Sequence, residues 1–220
     1  MKRTGRLMNL PACGELLRQI PVRIGYHHGP RLMSSLRRRW VILRHPQANI
    51  RFGRNVYLGP RFSLFIPESG TFVVGDDVEF RRDFRAEVWG GGRIMIGSGS
   101  SFTYATVIQC TTTVDIGERC VFAQGVLLLD GQHRFRDLER PMLEQGYDFV
   151  ALHIEDDAFV GAKSTVMASI GKRAVIGANS VVRNPIPPFT VAVGAPARPI
   201  EYFGPPDEAP EGIPRRKVSR

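Results

Sequence analysis

The fold is decided by residues 154–182, which read IEDDAFVGAKSTVMASIGKRAVIGANSVV. An aliphatic side chain returns here at about every sixth residue and is often followed by glycine. The aliphatic positions are Ile154, Val160, Val166, Ile170, Ile176 and Val182. A period of six matches neither the 3.6-residue repeat of a helix nor the two-residue repeat of a half-buried strand. The stretch therefore predicts a solenoid built from short strands.

The same period extends towards the N-terminus. Three more sets of aliphatic or aromatic residues keep the spacing, namely Val74, Phe80 and Ala86, then Ile96, Phe102 and Ile108, then Ile116, Phe122 and Leu128. Each such side chain points into a narrow core, and glycine relieves the backbone at the corner that follows. One hexad cannot bury its side chain alone, so stability comes from stacking turn upon turn. The fold class predicted is an all-β solenoid.

Interruptions of the period define the domain organisation. Residues 1–45 lack the repeat and form a basic N-terminal extension, with a helix predicted over 31–43. The solenoid covers residues 46–203 and contains an excursion over 131–152, and residues 204–220 form a flexible basic tail. Segments 66–73 and 89–95 are rich in Pro or Gly and are interpreted as loops that leave the prism. The step from Val166 to Ile170 is two residues short of a hexad, which predicts one tightened turn.

Composition indicates an anionic partner. The chain of 220 residues carries 30 Lys and Arg against 21 Asp and Glu, a formal net charge of +9, which favours phosphate-rich ligands, nucleic acid or an acidic membrane surface. No apolar run is long enough to cross a bilayer, and no signal peptide is recognisable, so we expect a cytoplasmic protein. The three cysteines, Cys13, Cys110 and Cys120, form neither a disulfide framework nor a metal motif and are expected to be small buried hydrophobic residues.

The chain resembles the hexapeptide-repeat acyltransferases, in particular the branch of maltose, galactoside and streptogramin acetyltransferases. The resemblance rests on residues 114–133, 154–182 and 186–200, and its most specific part is IPPFTVAVGAPAR at 186–198. It implies a left-handed parallel β-helix with triangular coils of three hexads. It also implies acetyl-CoA or another acyl-CoA as co-substrate, no metal, and a homotrimer with active sites between subunits. We expect trimer formation to bury Phe102 and Phe122, which a single coil leaves half exposed.

His133 is the candidate general base. A hydroxyl attacks a thioester only when its proton is removed, and a histidine, with an unperturbed pKa of about 6.5, is a competent acceptor near neutral pH. His133 stands where the repeat breaks into the excursion, the place where similar enzymes carry their catalytic histidine. Asp130 is predicted either to orient the imidazole or hold the acceptor, or else to cap a turn. His153, in the next strand, is interpreted as structural.

The resemblance also implies a donor site and an acceptor site. On the donor side, small residues allow pantetheine to approach the backbone and basic residues hold the phosphates; the matching positions are Ala162, Ala178, Arg183 and Arg198, with Lys163 nearby. On the acceptor side, the face before the break offers the hydrogen-bonding residues Thr103, Tyr104, Gln109 and Thr111. Galactoside-type relatives usually carry Asn and Asp in place of Thr103 and Thr111, which leaves the sugar open. A sugar or glycoconjugate hydroxyl is the acceptor favoured.

Other functions compete with O-acyl transfer. Transfer to an amino sugar, and a β-helix that serves only as a binding scaffold, both stay open. A zinc hydratase on the same solenoid is disfavoured because the chain lacks an H-x4-H pair, and no nucleic-acid motif accompanies the charge. The basic and apolar run at Arg37, Arg38, Arg39, Trp40, Val41 and Leu43 suggests docking on an anionic membrane or a lipid-linked saccharide, with packing against the first coil as the alternative.

Overall fold

The computed structural model describes residues 29–215. A helix, α1 (Gly29–Arg44), precedes a triangular solenoid of parallel strands. The helix predicted over 31–43 is therefore present and slightly longer. No helix within these residues is both long and apolar enough to span a membrane. Cys13, His27 and His28 lie outside the described residues.

Three sheets of mainly parallel strands form the sides of the prism, and the chain visits them in the order sheet 1, sheet 2, sheet 3 in every coil. Sheet 1 contains β1 (Asn49–Phe52), β4 (Thr71–Val74), β7 (Arg93–Ile96), β10 (Thr113–Ile116) and β15 (Leu152–Ile154). Sheet 2 contains β2 (Tyr57–Leu58), β5 (Glu79–Phe80), β8 (Ser101–Phe102), β11 (Val121–Phe122), β16 (Phe159–Val160), β18 (Val175–Ile176), β20 (Thr190–Gly194) and β21 (Ala197–Tyr202). Sheet 3 contains β3 (Ser63–Phe65), β6 (Arg85–Val88), β9 (Val107–Cys110), β12 (Leu127–Leu129), β17 (Thr165–Val166) and β19 (Val181–Val182).

The coils differ in length, and the corner between sheets 3 and 1 absorbs the difference. Asn49 pairs with Thr71 and Thr71 with Arg93, so the first coils take 22 residues. The next takes 20, and Ile154, Ile170 and Ile186 stack at intervals of 16. Where the corner is short, sheet 1 shrinks to isolated bridges at Ile170 and Ile186. The prediction of a single tightened turn is therefore wrong, because both final coils are short.

The predicted loops at 66–73 and 89–95 do not leave the prism. Only their first residues form corners, and the remainder are the four-residue strands β4 and β7. The corner at 89–92 is held by hydrogen bonds from Trp89 N to Cys110 O and from Gly92 N to Trp89 O. Proline and glycine here lengthen a coil without interrupting its stacking.

Glycine after the aliphatic position serves close stacking between coils. A Cβ atom on Gly161 would lie 2.5 Å from Ala178 N, and one on Gly97 would lie 2.5 Å from Gly117 C. The left-handed backbone of the corners occurs two residues later, often at non-glycine residues such as Lys163 (φ 58°) and Asn179 (φ 56°). Glycine is therefore required at these hexad positions because a side chain would clash with the next coil, and not because the backbone has a positive φ.

A column of phenylalanines fills the centre of the prism. The rings of Phe80 and Phe102 stack at 5.0 Å and those of Phe102 and Phe122 at 4.7 Å. Phe102 and Phe122 are fully buried within the single chain. The expectation that trimer formation buries them is wrong, since parallel coils already provide each ring with a neighbour above and below.

Both ends of the solenoid are covered. Helix α1 docks on the first coil, where Ser34 Oγ accepts from Leu58 N at 2.8 Å and Val41 and His45 are buried. At the other end β20 and β21 form an antiparallel pair, which is where the 186–198 motif folds back. The sequence predicts a flexible tail after residue 203, and the described part of that tail, residues 204–215, is folded against the domain. Tyr202 N donates to Pro214 O at 2.8 Å, and Pro206–Glu208 forms a 3₁₀ turn.

Candidate active site

The excursion is a β-hairpin that projects from the corner after β12. Its stem pairs β13 (Gly131–His133) with β14 (Tyr147–Phe149) in antiparallel fashion, and a 3₁₀ turn, Met142–Glu144, lies in its tip. The main chain returns to the prism at Leu152, the first residue of β15. The stem gives His133 a fixed position relative to the coils, which a loop without regular structure would not provide.

His133 is the last residue of β13, opposite Tyr147. The two rings lie 4.2 Å apart between centroids, with an interplanar angle of 38°, and Tyr147 stacks in turn on Phe149 at 5.7 Å. The Nδ1 atom of His133 is buried and has no hydrogen-bond partner within the described residues. Aromatic packing therefore holds the imidazole from one side, and its hydrogen-bonding capacity remains free.

Asp130 does not orient His133 through its carboxylate. Its buried Oδ2 accepts from Thr111 N at 2.8 Å, from Thr112 N at 2.6 Å and from Thr112 Oγ1 at 2.9 Å. The carboxylate thus caps the corner of the preceding coil, the alternative role that the sequence leaves open. Its main chain also anchors the hairpin, because Val150 N donates to Asp130 O at 2.8 Å. Asp130 fixes the base of the stem and acts on His133 only indirectly.

An arginine-rich cavity of about 410 Å³ opens beside His133. A volume of this size falls within the range of small-molecule sites. Arg134 and Arg140 are paired with Asp148 and Asp137, at 2.6 and 3.5 Å. The charged residues that line the cavity are Arg134, Arg136, Asp137, Arg140, Asp148 and Arg183.

Two of these arginines carry unneutralised charge. Arg136 packs over Phe135, and neither Arg136 nor Arg183 has an ion-pair partner within residues 29–215. Arg183 also lines a second cavity of about 110 Å³ at the root of the stem, together with Asp130 and Met167. Free guanidinium groups in a concave site suit an anionic ligand.

The predicted acceptor residues divide between two corners. Gln109 and Thr111 lie at the root of the hairpin, where Asp130 N donates to Gln109 O, and Gln109 Nε2 donates to the buried carboxylate of Glu87 at 3.2 Å. Thr103 and Tyr104 lie at the corner between sheets 2 and 3. This corner is where the strands of sheet 3 begin, opposite the end that carries the hairpin. The structure brings only Gln109 and Thr111 close to the stem that carries His133.

The predicted donor residues are also divided. Ala162, Lys163 and Ala178 stack on the corner between sheets 2 and 3, where Asn179 N donates to Ala162 O at 2.8 Å. They stack on the same corner as Tyr104, in later coils. Arg198 lies in β21, paired with Val193 beside the same corner. Arg183, in contrast, lines the cavity of His133. In one chain, the candidate base His133 is therefore separated from most of the predicted donor residues by the width of sheet 3.

Cysteine and metal chemistry find no support in the described part of the chain. Cys110 and Cys120 are buried free thiols, and burial raises the pKa of Cys110 to about 12 and that of Cys120 to about 11. Thiols with such pKa values supply almost no thiolate nucleophile near neutral pH. No group of three or more His, Cys, Asp or Glu between residues 29 and 215 has the arrangement of a metal site.

Sequence reasoning missed Tyr147 and Phe149, and it did not assign Arg136 to a ligand site. The signal for the two aromatic residues is the alternation in Tyr147-Asp148-Phe149 directly after Gly146, which is typical of a returning hairpin strand. Glu87 was missed because it precedes the break by two coils. His153 lies in sheet 1 with Nδ1 3.5 Å from Asp115 Oδ2 and lines neither cavity.

Comparison with known proteins is consistent with this architecture. Residues 152–184 match the family model described as the hexapeptide repeat of succinyl-transferase. A probable acetyltransferase of Mycobacterium tuberculosis is 28% identical over 171 residues, which cover 73% of this chain and 55% of that protein. A putative lipopolysaccharide biosynthesis O-acetyl transferase of Escherichia coli is 28% identical over 152 residues, 65% of this chain and 78% of the relative.

Residues 152–184 therefore carry the hexapeptide repeat, and the chain is similar to proteins named as acetyltransferases. It spans about half the length of the Mycobacterium relative. The branch of maltose, galactoside and streptogramin acetyltransferases stays a prediction.

Solved structures of acyltransferases share the fold. A variant of AntD, an N-acyltransferase from Bacillus cereus in complex with dTDP-4-amino-4,6-dideoxyglucose and coenzyme A, superposes with a TM-score of 0.57 at 17% identity, covering 73% of this chain and 87% of that one. An acetyltransferase of Vibrio cholerae complexed with acetyl coenzyme A gives a TM-score of 0.52 at 19% identity, over 75% and 76% of the two chains. The predicted left-handed parallel β-helix is confirmed, although its coils depart from three regular hexads.

Proposed function

We propose that this hexapeptide-repeat protein transfers an acyl group, most simply acetyl, from acyl coenzyme A to a hydroxyl of a sugar or glycoconjugate. The observation that carries the proposal is His133, held by Tyr147 at the edge of a cavity lined with arginines. Curated relatives named as acetyltransferases, one of them an O-acetyl transferase of lipopolysaccharide biosynthesis, support the class of reaction. A cytoplasmic location accords with the free cysteines.

The proposed mechanism is direct transfer. His133 accepts the proton of the acceptor hydroxyl as that oxygen attacks the thioester carbonyl. The attacking oxygen therefore loses its proton while the C–O bond forms and does not build up positive charge. The tetrahedral intermediate then breaks the C–S bond, and the imidazolium returns the proton to the departing thiolate. Tyr147 is a positioning residue, because its ring limits the rotation of the imidazole. Arg183 and Arg136 offer charge to phosphate groups of either substrate.

Two chains complete the proposed site. The proposed base lies on the stem of the hairpin, after the strands of sheet 3 end, and the donor residues Ala162, Lys163 and Ala178 lie on the opposite side of sheet 3. In a ring of three subunits, the hairpin of one subunit can lie over the donor corner of the next. The hairpin carries exposed apolar side chains suited to such a contact, namely Phe135, Leu138, Met142, Leu143 and Val150. These residues replace Phe102 and Phe122 as the expected apolar contacts between subunits.

The trimer has a direct test. Light scattering coupled to size exclusion is expected to give a mass of three chains of 24.6 kDa. The double substitution Leu138→Ser and Leu143→Ser should weaken assembly and turnover together, because both side chains are almost fully exposed in the single chain. A monomer with full activity would contradict the shared site.

The reaction class is tested by release of free coenzyme A. Acetyl-CoA is incubated with panels of sugars, nucleotide sugars, lipid-linked saccharides and matched amino sugars, and products are identified by mass. We expect acceptor-dependent release of coenzyme A with an ester product that mild alkali removes. An alkali-stable amide product would favour N-acylation instead. No acceptor-dependent release across acyl chain lengths, with no binding of coenzyme A, would favour the scaffold function.

A further inference from the structure

Helix α1 has two faces of different character. Its buried face, with Ser34 and Val41, docks on the first coil, and His45 directly after the helix is buried as well. An apolar stripe formed by Leu32, Leu36, Trp40 and Leu43 is exposed to solvent, at 65%, 50%, 61% and 72% respectively. Residues spaced by four, four and three lie along one side of a helix, and at about 100° per residue this side is nearly opposite the buried face. The stripe therefore points away from the solenoid.

The charge of the helix is entirely positive. Its sequence, GPRLMSSLRRRWVILR, contains five arginines and no acidic residue. Arg37 and Arg38 make contacts within the domain, to Leu58 O at 2.9 Å and to Ser35 Oγ at 3.3 Å. Arg39 and Arg44 are exposed, and neither has an ion pair or side-chain hydrogen bond within residues 29–215. By helical geometry they border the stripe on its two sides.

We propose that α1 is an interfacial anchor that seats this protein on a lipid bilayer with anionic headgroups. Large apolar side chains on one face and cations along its edges are the pattern of helices that lie in the plane of a membrane surface. The stripe would lie among the upper acyl segments, with Arg39 and Arg44 level with lipid phosphates. The net charge of +9 favours the same anionic surface.

A bilayer fits the stripe better than a protein groove does. The helix is about 24 Å long, and its apolar side chains are spread along most of that length. The solenoid lies on the other side of the helix, against the docked face. A planar surface can therefore reach the whole stripe at once. Anionic lipid offers both chemistries of the helix, apolar chains for the stripe and phosphate for the arginines, in the same geometry.

Vesicle flotation with the full chain tests the anchor. Wild-type protein is expected to float with vesicles of equal phosphatidylcholine and phosphatidylglycerol and to stay unbound with phosphatidylcholine alone. Replacing Leu36, Trp40 and Leu43 together by Gln should lower the partition coefficient about tenfold or more. Arg39→Gln and Arg44→Gln should each lower it about fivefold, and added salt should do the same.

A matched pair of variants separates the stripe from general hydrophobicity. Leu43→Gln changes a residue of the stripe, whereas Ile42→Gln changes its neighbour, which is also exposed but lies outside the stripe. Only Leu43→Gln should weaken binding to vesicles. Acetyl transfer to a soluble acceptor should be unchanged in both variants, so the outcome does not depend on the proposed function.

Three results would overturn the anchor. The first is that wild-type protein fails to float with either kind of vesicle. The stripe would then contact another part of the chain or a protein partner. The second is equal loss of binding for Leu43→Gln and Ile42→Gln. The third is that the triple substitution changes the oligomeric mass and leaves flotation intact, which would assign the stripe to contact between copies of the chain.

Discussion

Replacing Asp130 by alanine is expected to lower the free energy of unfolding by about 3–5 kcal/mol. The buried carboxylate accepts two backbone N–H groups and one hydroxyl from Thr111 and Thr112. Alanine leaves all three donors without their acceptor in a corner that the hairpin partly shields from water. Urea unfolding followed by circular dichroism measures the loss.

Two further variants distinguish capping from charge. Asp130→Asn keeps an oxygen in the place of Oδ2 and should cost about 1–2 kcal/mol, because a neutral acceptor makes weaker bonds. Asp148→Ala removes a carboxylate from an exposed ion pair with Arg134 and should cost less than about 1 kcal/mol. Equal destabilisation by Asp130→Ala and Asp148→Ala would refute the capping role. Turnover should fall in Asp130→Ala as well, since the stem of the hairpin starts at this residue.

Replacing His133 by alanine is expected to lower kcat by about a hundredfold to ten-thousandfold, the usual contribution of a positioned base. The imidazole is the only histidine side chain at the cavity within the described residues. Its removal leaves the coils intact, because it lies on the hairpin outside the packed core. Steady-state transfer at saturating acetyl-CoA and acceptor measures the effect on the chemical step.

His153→Ala is the matched control. His153 is also a histidine of the solenoid region, and its side chain is 56% exposed beside Asp115. It lines neither cavity, so its replacement should leave kcat within about twofold. Tyr147→Leu provides an intermediate case, since it removes only the ring that restrains the imidazole; kcat should fall while the KM for acetyl-CoA stays the same.

The sequence predicted the core well because the hexad is set by burial. Each aliphatic residue in the repeat must point inwards whatever the length of the corners, and residues such as Leu128, Val160 and Ile176 are completely buried. Coil length depends instead on how many residues fill the corner between sheets 3 and 1. Sequence periodicity does not separate a loop from a longer strand, which is why 66–73 and 89–95 were misinterpreted.

Side-chain direction explains the remaining differences. An aspartate three residues before a histidine can face the imidazole or turn back to cap the corner of the preceding coil, and Asp130 does the latter. The amphipathic character of Arg37–Leu43 was visible in the sequence, but which face docks on the first coil depends on tertiary contacts through Ser34 and Val41. Packing against the coil and an exposed apolar stripe turn out to coexist on one helix.

The proposed site is spread over two corners of the single chain, and the proposed trimer would account for this spread. The sequence identified His133 and the donor residues as separate motifs, and a single chain keeps them on opposite edges of sheet 3. In the proposed trimer, the hairpin of one subunit and the donor corner of the next would bring them together. The sequence of one chain does not indicate which residues of a neighbouring subunit lie beside a given residue.

Turnover and coenzyme A affinity measured side by side on His133→Ala test the assignment of the base most directly. Acetyl transfer is followed at saturating acetyl-CoA, and calorimetry gives the Kd for coenzyme A on the same preparation. We predict a loss of kcat of about a hundredfold or more with a Kd within about threefold of the wild-type value. Near-normal transfer by the variant, or a loss of binding as large as the loss of rate, would contradict the role of His133 as general base.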